Sequence, residues 1–337
     1  MSWYNKPAVC DDIAVSTRIR LARNLNGIPF PSRLSAEGIK KVNSCVKSAI
    51  EDSNTPFSKS LKYIEMRNIP ENERYSMVER HILSPEFVSD CNDKAIIISE
   101  DESISIMLCE EDHIRIQVIY PGLNLEDAYN IADSIDSLLC SSLDIAFDKD
   151  LGFLTECPTN LGTGLRASVM LHLPFLEASK ELGAISDSIS KIGFTVRGMY
   201  GEGTKAEASL YQISNEVTLG ISEKNAIDNL KIIANQLIEK EREERKSADK
   251  IKIADISNRA LAILKSARIL SSSELIKLIS EIKVGVSTGE INVKNELLTS
   301  ILFENQPYTI MCKYGNLSSK ERDEKRAELI RERIKDI

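Results

Sequence analysis

Histidine is scarce in this chain. With three among 337 residues, a histidine-built metal centre is not expected. The seven cysteines (Cys10, Cys45, Cys91, Cys109, Cys140, Cys157, Cys312) are scattered, odd in number and never spaced C-x-x-C. That argues against a disulfide framework and a zinc knuckle, and it suits a reducing compartment. No apolar run is long enough to span a membrane, and the N-terminus lacks the charged, apolar, small-residue order of a secretion signal. Basic charge is outweighed: 43 Lys and Arg face 51 Asp and Glu, for a net −8, which argues against a dedicated nucleic-acid binder. With 42% hydrophobic residues there is material for one sizeable core and room for two. The expectation is an acidic, cytoplasmic, globular protein with no metal-ligand motif, no direct nucleic-acid contact and no membrane segment.

What is present divides near residue 250. Ile39, Val42, Val46 and Ile50 recur at helical spacing, as do Leu125, Ala128, Ile131, Ile135 and Leu138. Between them, 94–99 and the run from Ile104 to Tyr120 read as strands. In the second run, Ile114, Ile116, Val118 and Tyr120 alternate with His113, Arg115 and Gln117, the pattern of a half-buried strand with one polar face. Residues 226–250 return to helical spacing and pass into EKEREERKSADK, which reads as a solvated helix rather than a linker. Beyond it the chain is helical, with capping-box patterns at Ser271-x-x-Glu274 and Ser318-x-x-Glu321. The expected organisation is a mixed domain over 1–250 and a smaller helical one over 251–337.

One short stretch gathers unusual chemistry. TECPTNLGTGLRASV (155–169) holds a thiol, a proline, two glycines and an arginine. GTGLRA formally fits the dinucleotide fingerprint G-x-G-x-x-A, but Pro158 interrupts the approach and the match lies mid-chain, so a dinucleotide oxidoreductase is a poor reading. The triphosphate-loop pattern is absent too, since neither glycine precedes Lys-Ser or Lys-Thr. A purely structural loop would leave Cys157 and Arg166 without a reason. Three further segments change the reading: STRIRLARN (16–24), CEEDHIRIQ (109–117) and VRGMYGEGTKA (196–206), the last followed by YQISN at 211–215.

In this order, these pieces resemble the guanidino (phosphagen) kinase family, in its bacterial protein-arginine kinase branch. The resemblance covers roughly residues 11–225. It implies an α+β fold, an antiparallel β-sheet flanked by helices, followed by the smaller all-α C-terminal domain. It implies that Glu111 and Glu202 orient the acceptor guanidinium and take its proton, with Cys157 as the reactive cysteine beside it. The family's phosphate clamp maps onto Arg18, Arg20, Arg115, Arg166 and Arg197, and His81 resembles a position near the nucleotide. Such residues suit the reaction, because a planar guanidinium is gripped by carboxylates and a transferred phosphoryl needs positioned cations. Arg23 could equally be a surface residue. On an ideal strand, Glu111, His113 and Arg115 would share one face, with Glu111 and Arg115 about 13 Å apart. Two positions depart from the family pattern: Cys109 replaces an asparagine, and Met170 replaces a histidine set against adenine.

The substrates implied are ATP with Mg²⁺, held by phosphates and waters, and proteins bearing accessible arginines. Small-molecule members carry a helical domain before the S-x-R-x-R segment, which here begins at Ser16, so an open site admitting a protein-borne side chain is expected. The C-terminal part resembles a dimerising, phosphoarginine-sensing domain, with Arg322 and Arg326 on one face of a helix and Asp323 beside them. A solvated charged helix is the plain alternative. The resemblance further implies a homodimer, an activator protein, a transcriptional repressor as substrate and a Clp-type protease pathway in a stress response. The rival readings are a kinase of free arginine or another small guanidine, and a weakly catalytic regulatory binding protein.

Overall fold

The computed structural model describes residues 2–53, 55, 58–198 and 207–335. Ten strands are found among them: β1 (Ala14–Arg23), β2 (Leu61–Glu65), β3 (Ala95–Ser99), β4 (Ile104–Leu108), β5 (Ile114–Pro121), the short pair β6 (Phe147–Asp148) and β7 (Gly152–Phe153), β8 (Leu165–His172), β9 (Phe194–Gly198) and β10 (Leu210–Asn215). All but β6 and β7 form one sheet in the order β2-β3-β4-β5-β1-β8-β10-β9, antiparallel throughout. β1 is therefore central, paired with β5 on one side and β8 on the other.

Side chains alternate across each strand, so the sheet has two unlike faces. Ile19 and Leu21 of β1, Ile114, Ile116 and Val118 of β5, Ala167 and Val169 of β8, and Ile213 of β10 are buried on one face. Against them lie α1 (Ala36–Glu51), α4 (Leu125–Ser142) and α7 (Glu223–Ser247), presenting Val42 and Val46, Ala128, Ala132 and Ile135, and Leu230, Ala234 and Leu237. The helical spacing and the charge run read from the sequence thus fall on real helices, and α7 continues through the charged segment to Ser247. The expected single run from Ile104 to Tyr120 is two strands joined by a turn at 109–113.

The other face carries Arg18, Arg20, Arg115, Arg166, Arg197 and Gln212. A segment with α2 (Glu71–Glu79) and α3 (Pro85–Ser89) walls one side of it. Beyond α5 (Pro174–Ala178) and α6 (Leu182–Ser190), the chain after α7 is wholly helical: α8 (Lys250–Ser266), α9 (Ser272–Ser287), α10 (Asn295–Glu304), α11 (Pro307–Tyr314) and α12 (Ser319–Arg333). Leu264, Leu275, Ile282, Ile301 and Ile330 make its own core. Ser318 and Glu321 form a complete capping box, whereas at Ser271 only the Glu274 amide is captured.

A further cluster joins the two parts. Trp3, Val15, Ile119, Met170 and Leu210 from the sheet side pack with Ile276, Leu302 and Phe303 from the helices. Nearby, His172 Nε2 lies 2.7 Å from Ser280 Oγ, and the buried Lys283 amine donates to the Asp11 carbonyl. Among the described residues no helix is long and apolar enough to cross a membrane.

Candidate active site

The register of the central strands assembles the cationic face. Arg20 pairs directly with Arg166 across β1 and β8, and Ala22 pairs with Arg115 across β1 and β5. Arg18 stands two residues before Arg20, and Arg197 pairs with Gln212 across β9 and β10. All five arginines therefore project from the same face. Arg18 donates to Gln212 Oε1 at 2.9 Å, Arg166 to Ser214 Oγ at 3.4 Å and Arg197 to Glu216 Oε1 at 3.2 Å. Burial, and then Arg166 and Arg115, lower the Arg18 guanidinium to about 10; burial and the neighbouring arginines push Arg20 well down from its ordinary value. Arg20 Nε is buried without a hydrogen-bond partner among the described residues. Like charges held this close, with a donor left over, fit a polyanion such as a triphosphate. Arg18, Arg20, Arg166, Arg197 and His81 line a cavity of about 580 Å³.

A smaller cavity of about 180 Å³ adjoins it. Glu111, Arg115, Thr159, Asn160 and Gly164 line it, and it shares Arg20 and Arg166 with the larger one. The expected straight strand from Glu111 to Arg115 is not formed. Cys109 takes a positive φ of 59°, its amide donates to the His113 carbonyl at 2.9 Å, and the chain turns before β5 begins at Ile114. As a result Glu111 Oε2 lies 2.9 Å from Arg115 Nη2 rather than a strand's length away. Left-handed backbone favours asparagine, so the residue at 109 matters for its conformation; burial raises the Cys109 thiol to about 12, which keeps it inert.

His113 leaves the expected face too. It is fully buried, with Nδ1 accepting from the Leu25 amide at 3.0 Å and Nε2 2.8 Å from the Pro29 carbonyl. Asp112 accepts from Asn24 Nδ2 at 2.6 Å and from the Glu156 amide at 2.9 Å, tying the Glu111 turn to the loop that carries Cys157. Cys157 is half-buried, its Sγ 3.0 Å from the hydroxyl of Thr159, which lines the smaller cavity. The glycines of GTGLRA open strand β8, not a helix; Gly164 has φ +60°, and a Cβ there would meet the Ala22 carbonyl at 2.6 Å. Glu202 lies outside the described residues.

His81 reaches the larger cavity with its ring edge-on to Phe303 at 5.2 Å. Burial and then Arg18 push it down to about 3, so it is neutral. Arg23 is neither in the site nor on the surface. It is fully buried on the helix side, paired with Asp136 at 2.7 Å and Glu223 at 3.2 Å, under the Phe153 ring. In α12, Arg322 and Arg326 share a face, but not an open one. Arg326 is 1% exposed and donates to Asn305 O, Leu270 O and Asp323, while Arg322 rests on Met311 and Ser319. The expected two-arginine grip is therefore not formed, because one guanidinium is engaged in holding the helices together.

Several site residues were not singled out from sequence. Glu110 is one: its carboxylate accepts from Arg115 at 2.5 Å, the Glu111 amide at 2.9 Å and Ser84 Oγ at 2.7 Å. The doubled acid in CEED was its signal. Gln117, which holds the His81 carbonyl at 2.9 Å, could have been found from its place in the strand alternation. Phe303 and Gln306 also line the larger cavity, and nothing local marks them. Among the described residues no group of three or more His, Cys, Asp or Glu side chains is arranged to hold a metal ion.

Known proteins resemble this chain in sequence and in fold. Residues 41–244 match the profile of the family ATP:guanido phosphotransferase, C-terminal catalytic domain, and residues 250–337 match that of the protein-arginine kinase McsB C-terminal domain. A protein-arginine kinase of Clostridium kluyveri is 45% identical over 328 residues, spanning 96% of this chain and 94% of its own length. Its counterpart in Clostridium acetobutylicum is 42% identical over 99% of both chains. Among solved structures, a lombricine kinase superposes with a TM-score of 0.62 at 23% identity, over 72% of this chain and 70% of that one, a likeness of fold. The duplicated taurocyamine kinase from Schistosoma mansoni with transition-state-analogue components reaches the same TM-score at 26% identity, over 78% of this chain and 38% of the other. The chain belongs to the ATP:guanido phosphotransferase family, in its protein-arginine kinase branch.

Proposed function

We propose that this chain transfers the γ-phosphoryl group of ATP to arginine side chains of proteins. The observation that carries the reading is the pair of adjoining cavities that meet at Arg20 and Arg166. On one side is a cationic floor suited to a triphosphate; on the other is the carboxylate of Glu111. The phosphoryl group would cross between them, stabilised by Arg20, Arg115 and Arg166. As the N–P bond forms and the P–O bond to ADP breaks, the attacking guanidinium nitrogen gives its proton to Glu111. Arg115, held by Glu110 and Glu111, is poised to turn towards the transferring group. Glu202 is proposed as the second carboxylate and Cys157 as a thiol beside the acceptor. Mg²⁺ would arrive on the triphosphate and offset its charge, held by phosphate oxygens and waters.

The relatives' names support a protein as acceptor over free arginine. The same reading takes 1–250 as the catalytic domain and 251–337 as a dimerising domain. There, Arg322 and Asp323 would meet a phosphoarginine and Arg326 would hold them in place. It extends to a cytoplasmic, activator-dependent homodimer that marks a transcriptional repressor and other proteins for a Clp-type protease under stress. The test is ³¹P NMR with MgATP and either an unfolded protein or free arginine, with Glu111→Gln as control. An acid-labile phosphoramidate signal on the protein, lost in the variant, is expected; signal on free arginine alone would overturn the protein-directed reading.

A further inference from the structure

The larger cavity has a direction. Glu111 marks the acceptor end, and among the described residues the two cavities share Arg20 and Arg166, so the transferred phosphoryl belongs there on the reading just given. From Arg20 the strand leads to Arg18, two residues and about 7 Å further from Glu111. The cavity runs on past Arg18 to His81 and Leu83 on the sheet side, and to Phe303 and Gln306 from the C-terminal helices. A triphosphate laid along β1 with its γ-group at Arg20 carries its nucleoside to that end.

The chemistry there suits a base and not a phosphate. The His81 ring is neutral and stacked edge-on against Phe303. Glu79, one of the two acids lining this cavity with Glu86, is turned to the Tyr308 and Thr309 amides at 2.9 and 2.8 Å. Gln306 Nε2 donates to the Leu302 carbonyl at 2.7 Å, which orients the amide and leaves Oε1 as its acceptor. An amide acceptor suits the exocyclic amine of adenine better than the keto oxygen of guanine. We propose that the C-terminal helical region builds the base subsite of the nucleotide, with Gln306 meeting the base edge and Phe303 holding the His81 ring in place.

The two walls of that subsite are fastened to each other. Besides the Glu79 bonds, Tyr75 stacks on Tyr308 at 4.7 Å, and Ser76 Oγ lies 2.9 Å from Thr309 Oγ1. Thus α2, which leads into His81, is fastened to α11, which follows Gln306. Nucleotide affinity and base selectivity then depend on a region that the sheet does not contain. Gln306 acts as a specificity contact, and Phe303 as a positioning residue that works through His81.

The inference rests on the ATP reading, and its test separates the two. Calorimetric Kd values are measured for ADP, GDP and inorganic tripolyphosphate on the full chain, on Gln306→Leu and on Phe303→Leu. Tripolyphosphate touches the arginines alone. Gln306→Leu should weaken ADP about tenfold, the worth of one hydrogen bond to the base. It should shrink the preference for ADP over GDP and leave tripolyphosphate within about twofold. Unchanged ADP affinity with the preference retained would overturn the proposal. So would equal loss of ADP and tripolyphosphate, which would mark general damage to the site. If Gln306→Leu does not fold, Phe303→Leu is read by the same ratio. A wild-type chain that binds neither ADP nor tripolyphosphate would instead defeat the ATP reading itself.

Discussion

Glu111 is partly exposed yet lies within 2.9 Å of Arg115, so its charge is compensated without being entombed. Glu111→Gln should keep the fold and the melting temperature while lowering kcat by about 10²–10⁴, the range for loss of a general base. Single-turnover phosphorylation beside a thermal melt would check this, and a variant within tenfold of the wild type would remove Glu111 from the base role. The histidines give a prediction about pH. His81 is held down to about 3, and burial also pushes His113 and His172 below the usual 6.5. His81 stays neutral in the folded chain and gains a proton in the unfolded one, so the stability it contributes is complete above about 6.5 and is lost as pH falls towards 3; the downward shifts of His113 and His172 act in the same direction. Urea unfolding between pH 7 and pH 4 should show this decline, up to about 1.4 kcal/mol per pH unit for each fully shifted histidine. His81→Gln should make the slope shallower; an unchanged slope would mean that His81 protonates in place.

At the scale of elements, the sequence is most readable where a periodic pattern meets a single demand. The helices α1, α4 and α7 and the strand face of Ile114, Ile116 and Val118 were legible because burial imposes spacings of 3.6 and 2. The turn at 109–113 was not, because one positive φ at Cys109 reverses which side chains meet, and no periodicity reports it. Arg23 and Arg326 were misplaced for a related reason: arginine reads as surface, yet both are satisfied in the interior by acids and carbonyls brought from far along the chain. The cavity lining was legible where the resemblance carried it, at Arg18, Arg20, Arg115 and Arg166. It was not legible at Gln306, where only tertiary packing brings the residue to the cavity. Arg326→Met should cost about 2–4 kcal/mol by stranding two carbonyls and Asp323, while Arg322→Met should be nearly silent in a thermal melt. Equal, small effects would mean that Arg326 is not a structural tie. Gly164→Ala should cost about 1–3 kcal/mol, from a left-handed alanine pressed on the Ala22 carbonyl, and a neutral result in the same melt would mean that the turn relaxes freely.

For the whole molecule, the one tryptophan stands at the seam. Trp3 is fully buried, donates to the Arg80 carbonyl at 3.2 Å and touches Phe303 at 5.1 Å between ring centroids. Its fluorescence therefore reports on the docking of the helical part against the sheet. Trp emission and far-UV circular dichroism should melt together, because the Trp3 cluster and the Lys283 and His172 contacts bind the two parts into one unit. A Trp transition preceding the loss of secondary structure would show that the helices undock first. The crowded guanidinium floor has a practical consequence of its own. Arg18 and Arg20 are half-buried and crowded among like charges, a tension that any small oxyanion can relieve, whatever its place in the reaction. Sulfate and inorganic phosphate should therefore raise the melting temperature and compete with nucleotide, so rates taken in phosphate buffer would describe a partly inhibited enzyme.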